Sequence, residues 1–303
     1  MNEFHFCIGI PTYSRLEYLK IALQSALVQT FQDFHILISL DSGPHGHDAQ
    51  IVHYLKDISE RHSNIKFHLT EKNLGLAGNW NRIAQLSQGR YTILMGDDDV
   101  LEPSFLEKLK EGTDRQADVV FGNQLFIDYD GLPLDSNPNE IYHRNELARG
   151  FLPNTGRAIW RNSIPMSSSV IKTSCLTEFQ FKEDLNTPEI ELFLRMELAN
   201  KKFYFVPEPI MLYRIHPLSA TASGLKVHIL FNYLAEMPVS VENAIYKEHF
   251  LKNVAHTAAS RFLKSGEKSK AKEIMKSSFY PKLHWKFVYH ILLLLTPSHF
   301  FKK

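Results

Sequence analysis

Apolar and polar positions along the first half of this 303-residue chain switch repeatedly between two periods. Phe4–Ile10 is a short apolar run ended by Pro11 and Thr12, the pattern of a buried strand. From Leu16 onward Leu19, Ala22, Leu23, Ala26 and Leu27 recur at helical spacing, and Phe34–Leu40 then predicts a second strand. The turn Ser42-Gly43-Pro44 closes it, and Ile51, Val52, Leu55 and Ile58 mark one face of the next helix. Ile65–Leu69 predicts a third strand, Leu76–Leu86 a helix punctuated by Gly89, and Tyr91–Met95 a fourth strand running into Gly96-Asp97-Asp98-Asp99. Pro103 opens another helix, at a position where its missing N–H costs little. Repeated strand–helix alternation predicts an α/β fold with a mostly parallel sheet covered on both faces. Ligands of such sheets bind beyond the carboxyl ends of the strands, where Asp41 and the Asp97–Asp99 run fall.

The second half is less regular. Asp128–Gly150 is polar and turn-rich, with Pro133 and Pro138, and reads as a loop over the site. Ser167–Ile171 predicts a strand, Ile190–Leu198 an amphipathic helix led by Pro188 and Glu189, and Phe203–Val206 and Ile210–Tyr213 two further strands. After about Leu225 the pattern is wholly helical and ends in Trp285–Phe301. With 44% hydrophobic and 22% charged residues the chain has the composition of a folded globular protein. Its net charge of +1 supplies no overall field for polyanions, which speaks against nucleic acid as a partner. Cys7 and Cys175 are too few for a disulfide framework or a four-ligand zinc site, and they suit a reducing compartment. Met1–Phe6 leads straight into a strand with no secretory signal pattern, so the expected location is cytoplasmic.

Three consecutive aspartates are the strongest chemical signal. Like charges this close repel, so an ordered run needs a cation or exposure to water. Hard carboxylate oxygens suit Mg2+ or Mn2+, which keep several waters and bridge to phosphates. The competing reading is a solvated turn that caps the helix at Pro103.

Four ordered motifs resemble one family. Ile10-Pro11-Thr12-Tyr13-Ser14-Arg15 is similar to the opening strand motif of family 2 glycosyltransferases. Ala22–Phe34 resembles that family's first helix and following turn, and Asn73 to Arg82 the segment before its aspartate motif. Gly89 through Pro103 resembles the strand, the acidic motif and the proline beyond it. The resemblance covers about residues 4–218 and implies the GT-A architecture, Rossmann-like, with a C-terminal helical extension. It divides the chain into a transferase domain over 1–224, with a nucleotide half to about 125 and an acceptor half from about 126, and a helical region over 225–303.

The resemblance also implies roles for matching residues. Pro11, Thr12, Tyr13, Arg15, Asn73, Gly75 and Asn81 would line the donor pocket. Asp41 would accept a hydrogen bond from the base, favouring a UDP- or dTDP-sugar, and Asp97 would sit near the ribose. Asp98 would bind Mn2+ or Mg2+ with Asp99 and His216 as helpers, and Arg214 would neutralise phosphate. Glu189 would be the general base, with Glu191 second, giving single-displacement transfer with inversion. Their plain reading is as first-turn carboxylates favoured by the helix dipole. Two departures stand out: Ser14 replaces the usual asparagine, and Leu40 the first aspartate of the usual pair. The product expected is a surface polysaccharide or other glycoconjugate.

Two rivals share parts of this pattern. A sugar nucleotidylyltransferase needs a Gly-rich phosphate loop after the first strand, which Pro11–Arg15 lacks. A non-catalytic binding or assembly protein would keep the fold without turnover. The apolar tail from Lys282, with Trp285, Lys286, Lys302 and Lys303 at its edges, reads as a packing helix, a contact with a second copy, or an interfacial helix over 282–303. The last would place the enzyme peripherally at the inner face of the plasma membrane and suit a lipid-linked saccharide acceptor.

Overall fold

Phe6, Cys7, Ile8 and Ile10 are all buried, because strand β1 (Phe4–Thr12) runs through the middle of a sheet covered on both sides. The computed structural model describes residues 4–185, 187–217, 227–282 and 285–296. After β1 follow α1 (Leu16–Leu27), β2 (Phe34–Leu40), α2 (Ala49–Arg61), β3 (Ile65–Leu69), α3 (Gly75–Leu86) and β4 (Gly89–Leu94). Next come β5 (Val100–Leu101), α4 (Phe105–Asp114), β6 (Val119–Ile127), a short α5 (Pro138–Ile141) and β7 (Gly150–Phe151). Then α6 (Thr155–Trp160), β8 (Ser169–Lys172), α7 (Thr173–Phe179), α8 (Glu189–Leu198) and the long β9 (Phe203–Arg214) follow.

The sheet order is β3-β2-β1-β4-β8-β6-β9-β5, with β7 paired to β9. From β3 to β4 every pairing is parallel, while β8 runs antiparallel to β4 and β6, and β6 and β9 are again parallel. Phe6, Ile8 and Ile10 share one core with Leu19 and Leu23 of α1, Leu55 of α2 and Phe105 and Leu109 of α4. On the other face Gly9 leaves room for Ile83 of α3, which a side chain there would strike. The parallel strands end together, and the β2 ladder continues past its end through Asp41 N–H to Thr12 O at 2.9 Å. Asp41 and Asp97 thereby emerge at one edge of the sheet, the crevice expected of this topology.

Several elements differ from the sequence pattern. Gly89 opens β4 instead of ending α3, because it packs against the backbone of β1. The helix expected at Pro103 begins at Phe105. Phe203–Val206 and Ile210–Tyr213 are one strand, since register shifts opposite Gly122–Gln124 absorb Pro207 and Pro209. The loop expected over Asp128–Gly150 contains α5 and a single 3-10 turn at Arg144–Glu146.

Contacts divide the chain into two units, Met1–Gly224 and Leu225–Lys303. The second is helical, with α9 (Val227–Glu236), α10 (Ala244–Lys264), α11 (Lys268–Lys276) and α12 (Trp285–Leu295). Its buried residues include Phe231, Leu234, Leu251, Ala259, Leu263 and Ile274. Phe301, Lys302 and Lys303 of the predicted tail lie outside the described residues. Among those described, no helix is long and apolar enough to cross a membrane.

Gly89 sits opposite Phe4, and a Cβ there would lie 2.6 Å from the Phe6 carbonyl carbon and closer still to Cys7 N. Gly89→Ala should therefore lower unfolding free energy in urea by about 3 kcal/mol, the upper end of the range for overpacking. A loss under about 0.5 kcal/mol, within the range of neutral surface changes, would mean that β1 and β4 part freely.

Candidate active site

The acidic run leaves β4 as a tight turn around Gly96, where a Cβ would come within 2.7 Å of Asp98 Oδ1 and 2.9 Å of Asp99 Oδ2. Three carboxylates are thus crowded at the sheet edge, and each has a different fate. Asp97 is buried, accepts from Thr12 Oγ1 at 2.7 Å and is paired with Arg15 Nη2. Burial pushes its carboxyl up to about 6, against the pull of Arg15 and Thr12. Asp99 is buried too and accepts from the Arg214 backbone N–H at 3.0 Å. Burial, with Asp98 beside it, holds its carboxyl well above the usual range.

Asp98 keeps 13% of its side chain exposed. Its Oδ2 lies 2.5 Å from Arg15 Nη1 and 2.9 Å from His216 Nε2, and Arg15 Nη1 is itself 3.2 Å from that nitrogen. Arg15 comes from the residue just before α1, and His216 from the end of β9, so the cluster joins chain segments 201 residues apart. The imidazole is buried, and among the described residues its Nδ1 meets no partner while Nε2 faces Asp98 and Arg15.

A carboxylate and an imidazole are suitable donors for Mn2+ or Mg2+. Asp98 Oδ2 and His216 Nε2 stand 2.9 Å apart, within hydrogen-bonding distance of each other. These two side chains fit such an ion, while Arg15 lies against both atoms. Among the described residues no three His, Cys, Asp or Glu side chains are grouped as a metal site.

Other expected site residues have different work. Asp41 accepts from Thr70 Oγ1 and from the N–H groups of Ser42, Leu74 and Gly75. It caps the start of α3, with both carboxylate oxygens accepting there. Asn73 serves the same corner, donating to Ser42 O at 2.8 Å and accepting from Gly75 N–H at 3.1 Å. Gly75 has φ +68°, the left-handed conformation that glycine takes without strain. Asn81 uses its amide on both backbone groups of Phe181, tying α3 to that segment. Pro11 is partly exposed at the end of β1, and Tyr13 just beyond it is exposed.

Arg214 is likewise held by internal hydrogen bonds. Buried beneath the acidic run, it donates from Nε to Asp98 O and from Nη1 to the carbonyls of Asp128 and Tyr129. It is a staple between the run and the loop after β6. Tyr18 packs beside it, 5.0 Å from the guanidinium and 5.2 Å from the His216 ring, with Tyr129 edge-on at 5.8 Å. Sequence reasoning missed Tyr18. The one signal was an aromatic outside the apolar stripe of α1.

Glu189 and Glu191 separate clearly. Glu191 is buried and its two oxygens accept from Arg195 Nε and Nη2 at 2.7 and 2.8 Å, a fork that occupies both. Glu189 opens α8, is only partly exposed, and burial pushes its carboxyl up to about 7, opposed by its own backbone N–H.

Comparison with known proteins gives a consistent picture. The family description "Glycosyl transferase family 2" matches residues 7–167. An uncharacterized glycosyltransferase of Methanocaldococcus jannaschii is 26% identical over 251 residues, 82% of this chain and 82% of that one. The GalNAc(5)-diNAcBac-PP-undecaprenol beta-1,3-glucosyltransferase of Campylobacter jejuni is 24% identical over 75% of this chain and 72% of its own. Two solved structures share the fold. S. aureus TarS in complex with UDP-GlcNAc has TM-score 0.62 at 14% identity, covering 96% of this chain and 79% of that one. The mannosyltransferase PcManGT of Pyrobaculum calidifontis with GDP-Man and Mn2+ has TM-score 0.62 at 10% identity, covering 99% and 88%.

Arg15 is the cation that lets Asp97 and Asp98 stand side by side. Arg15→Met should cost about 2–3 kcal/mol in urea at pH 7.5, somewhat less than for a fully buried pair. Asp97→Asn in the same chain should recover part of that loss. Strictly additive losses would mean that the two groups do not interact.

Proposed function

The chain belongs to glycosyl transferase family 2, and from that premise we propose that it transfers a sugar from a nucleotide diphosphate donor to a hydroxyl of a saccharide acceptor, with inversion. The observation that carries this reading is the meeting of Asp98, His216 and Arg15 at the carboxyl edge of the parallel strands. A nucleotide diphosphate leaves only if its growing negative charge is stabilised. Asp98 and His216 would hold a divalent ion, Mn2+ or Mg2+, which supplies that stabilisation when bound. Arg15, drawn from Asp98 toward the diphosphate, would add a forked guanidinium to the phosphate oxygens.

Glu189 is the proposed base. Its raised carboxyl gives it affinity for the proton of the attacking hydroxyl near neutral pH, where general bases work best. Single displacement is favoured because Glu191, the neighbouring carboxylate, is already forked by Arg195. The donor base stays open, since the preference for uracil or thymine rested on Asp41. An acceptor on a lipid-linked saccharide is proposed from the relative named for an undecaprenol-linked substrate. With it goes peripheral membrane contact through the C-terminal region. The second reading is a fold kept without turnover, in which the pairing of Arg15 with both Asp97 and Asp98 is structural.

Thermal stabilisation by UDP, dTDP, GDP and CMP, each with and without Mn2+, separates the two. One diphosphate should raise the melting point, more so with metal, and the metal increment should vanish in Asp98→Ala. No shift with any nucleotide, from folded protein, would favour the non-catalytic reading.

Glu189→Gln should keep the nucleotide shift and slow transfer by roughly 10²-fold or more. Since the base must be ionised, kcat/KM should rise with pH through about 7 and then level. Stability runs the other way. A carboxyl whose folded value is raised contributes stability that is complete below its ordinary range and lost as pH rises through about 7. Glu189→Gln should therefore melt above the wild type at pH 8.5 and level with it at pH 4.5. A flat pH profile with an unchanged rate in Glu189→Gln would remove Glu189 from the mechanism.

A further inference from the structure

Helix α12 has two unlike sides. On one, His290 is fully buried, with Nε2 2.6 Å from Ser260 Oγ of α10 and Nδ1 2.5 Å from Tyr280 OH. At its C-terminus Lys268 Nζ donates to the carbonyls of Leu294, at 2.6 Å, and Thr296. These contacts fix how the helix is turned. They leave Trp285, Val288, Leu292 and Leu295 exposed at 69, 62, 59 and 76% of their surfaces, with Tyr289 beside them. The spacing of three and four residues puts all five on one face. A continuous apolar stripe left in water marks a docking surface.

Charge identifies what it docks to. Residues 225–303 contain 13 Lys and Arg against 5 Glu and no Asp, whereas residues 1–224 contain 21 against 28 acidic residues. The near-neutral chain is thus a unit of net +8 joined to one of net −7. Lys264, Lys270, Lys272, Lys276 and Lys282 are all exposed, and Lys286 Nζ lies 5.9 Å from the centre of the Trp285 ring. An apolar stripe with a tryptophan at its end, on a unit of net +8, suits the boundary between headgroups and acyl chains of an anionic bilayer. A second copy of the chain fits worse, because two units of +8 would have to face each other. The 11 residues of α12 span about 16 Å, roughly half the hydrocarbon thickness of a bilayer, so the helix lies along the surface.

We infer that α12 is an in-plane membrane anchor selective for anionic lipid, with Trp285, Val288, Leu292 and Leu295 entering the interface. This deepens the membrane contact proposed above and does not depend on the donor chemistry. The test is flotation of the full-length protein, without nucleotide, on vesicles of phosphatidylcholine alone or with 40% phosphatidylglycerol, at low and high salt. Binding should be at least tenfold stronger with the anionic lipid and weaken in high salt. Val288→Glu and Leu292→Glu, both at exposed positions, should reduce it at least tenfold with the melting point unchanged. The triple change Lys270→Glu, Lys272→Glu, Lys276→Glu should abolish the preference for anionic lipid. Equal binding by Val288→Glu and wild type, or none by wild type, would overturn the inference. So would a wild-type dimer in solution that Leu292→Glu converts to monomer, which would assign the stripe to a second copy. Because no transfer reaction is involved, the anchor and the enzymatic reading can fail separately.

Discussion

Repulsion among three successive carboxylates is the constraint on which the site depends. Asp97, Asp98 and Asp99 leave the sheet within one turn, and burial alone would drive Asp97 and Asp99 to protonate. The chain handles each differently: Asp97 by a hydroxyl and a guanidinium, Asp99 by a backbone N–H, Asp98 by partial exposure and two cationic or polar neighbours. Those partners come from the ends of β1 and β9 and the start of α1, so the strand ends must meet for the acids to be tolerated. The parallel half of the sheet supplies that meeting, because parallel strands all finish at the same edge.

A recurring economy follows from the same crowding. Asp41, Asn81, Glu191 and Arg214 are polar groups in the right neighbourhood whose hydrogen bonds are nonetheless internal. Each closes a gap between elements that regular backbone bonding leaves open: a helix start, a helix-to-loop contact, a buried helix turn, a strand-to-loop contact. Asp98 differs from them in keeping part of its side chain exposed while pairing with Arg15 and His216.

The first half of the chain was legible in the sequence, since Phe34–Leu40 and Ile65–Leu69 are strands with the bounds their apolar runs predict. Each is short, unbroken and ended by polar residues, so local pattern and tertiary position agree. β6 escaped notice because Gly122, Asn123 and Gln124 interrupt its apolar run where the register slips against β9. β9 was split on paper by two prolines that a bulge accommodates. For the site, residue type and strand-end position were readable, and the partner of each polar group was not. Asp41 is filled by N–H groups 33 and 34 residues away, whereas Glu191 is held by Arg195 four residues along the same helix.

Arg214 bonds the acidic run and the tip of the loop after β6 with a single side chain. That loop also folds on itself, since Asp128 Oδ1 accepts from the N–H groups of Asp130 and Leu132. Its ordering entropy is therefore lost when the chain folds, not when a ligand enters. A molecule arriving beside the acidic run meets a wall already in place, so recognition there draws little on disorder-to-order change. Selectivity at such a wall rests on shape, and altering it calls for rebuilding the loop rather than loosening it.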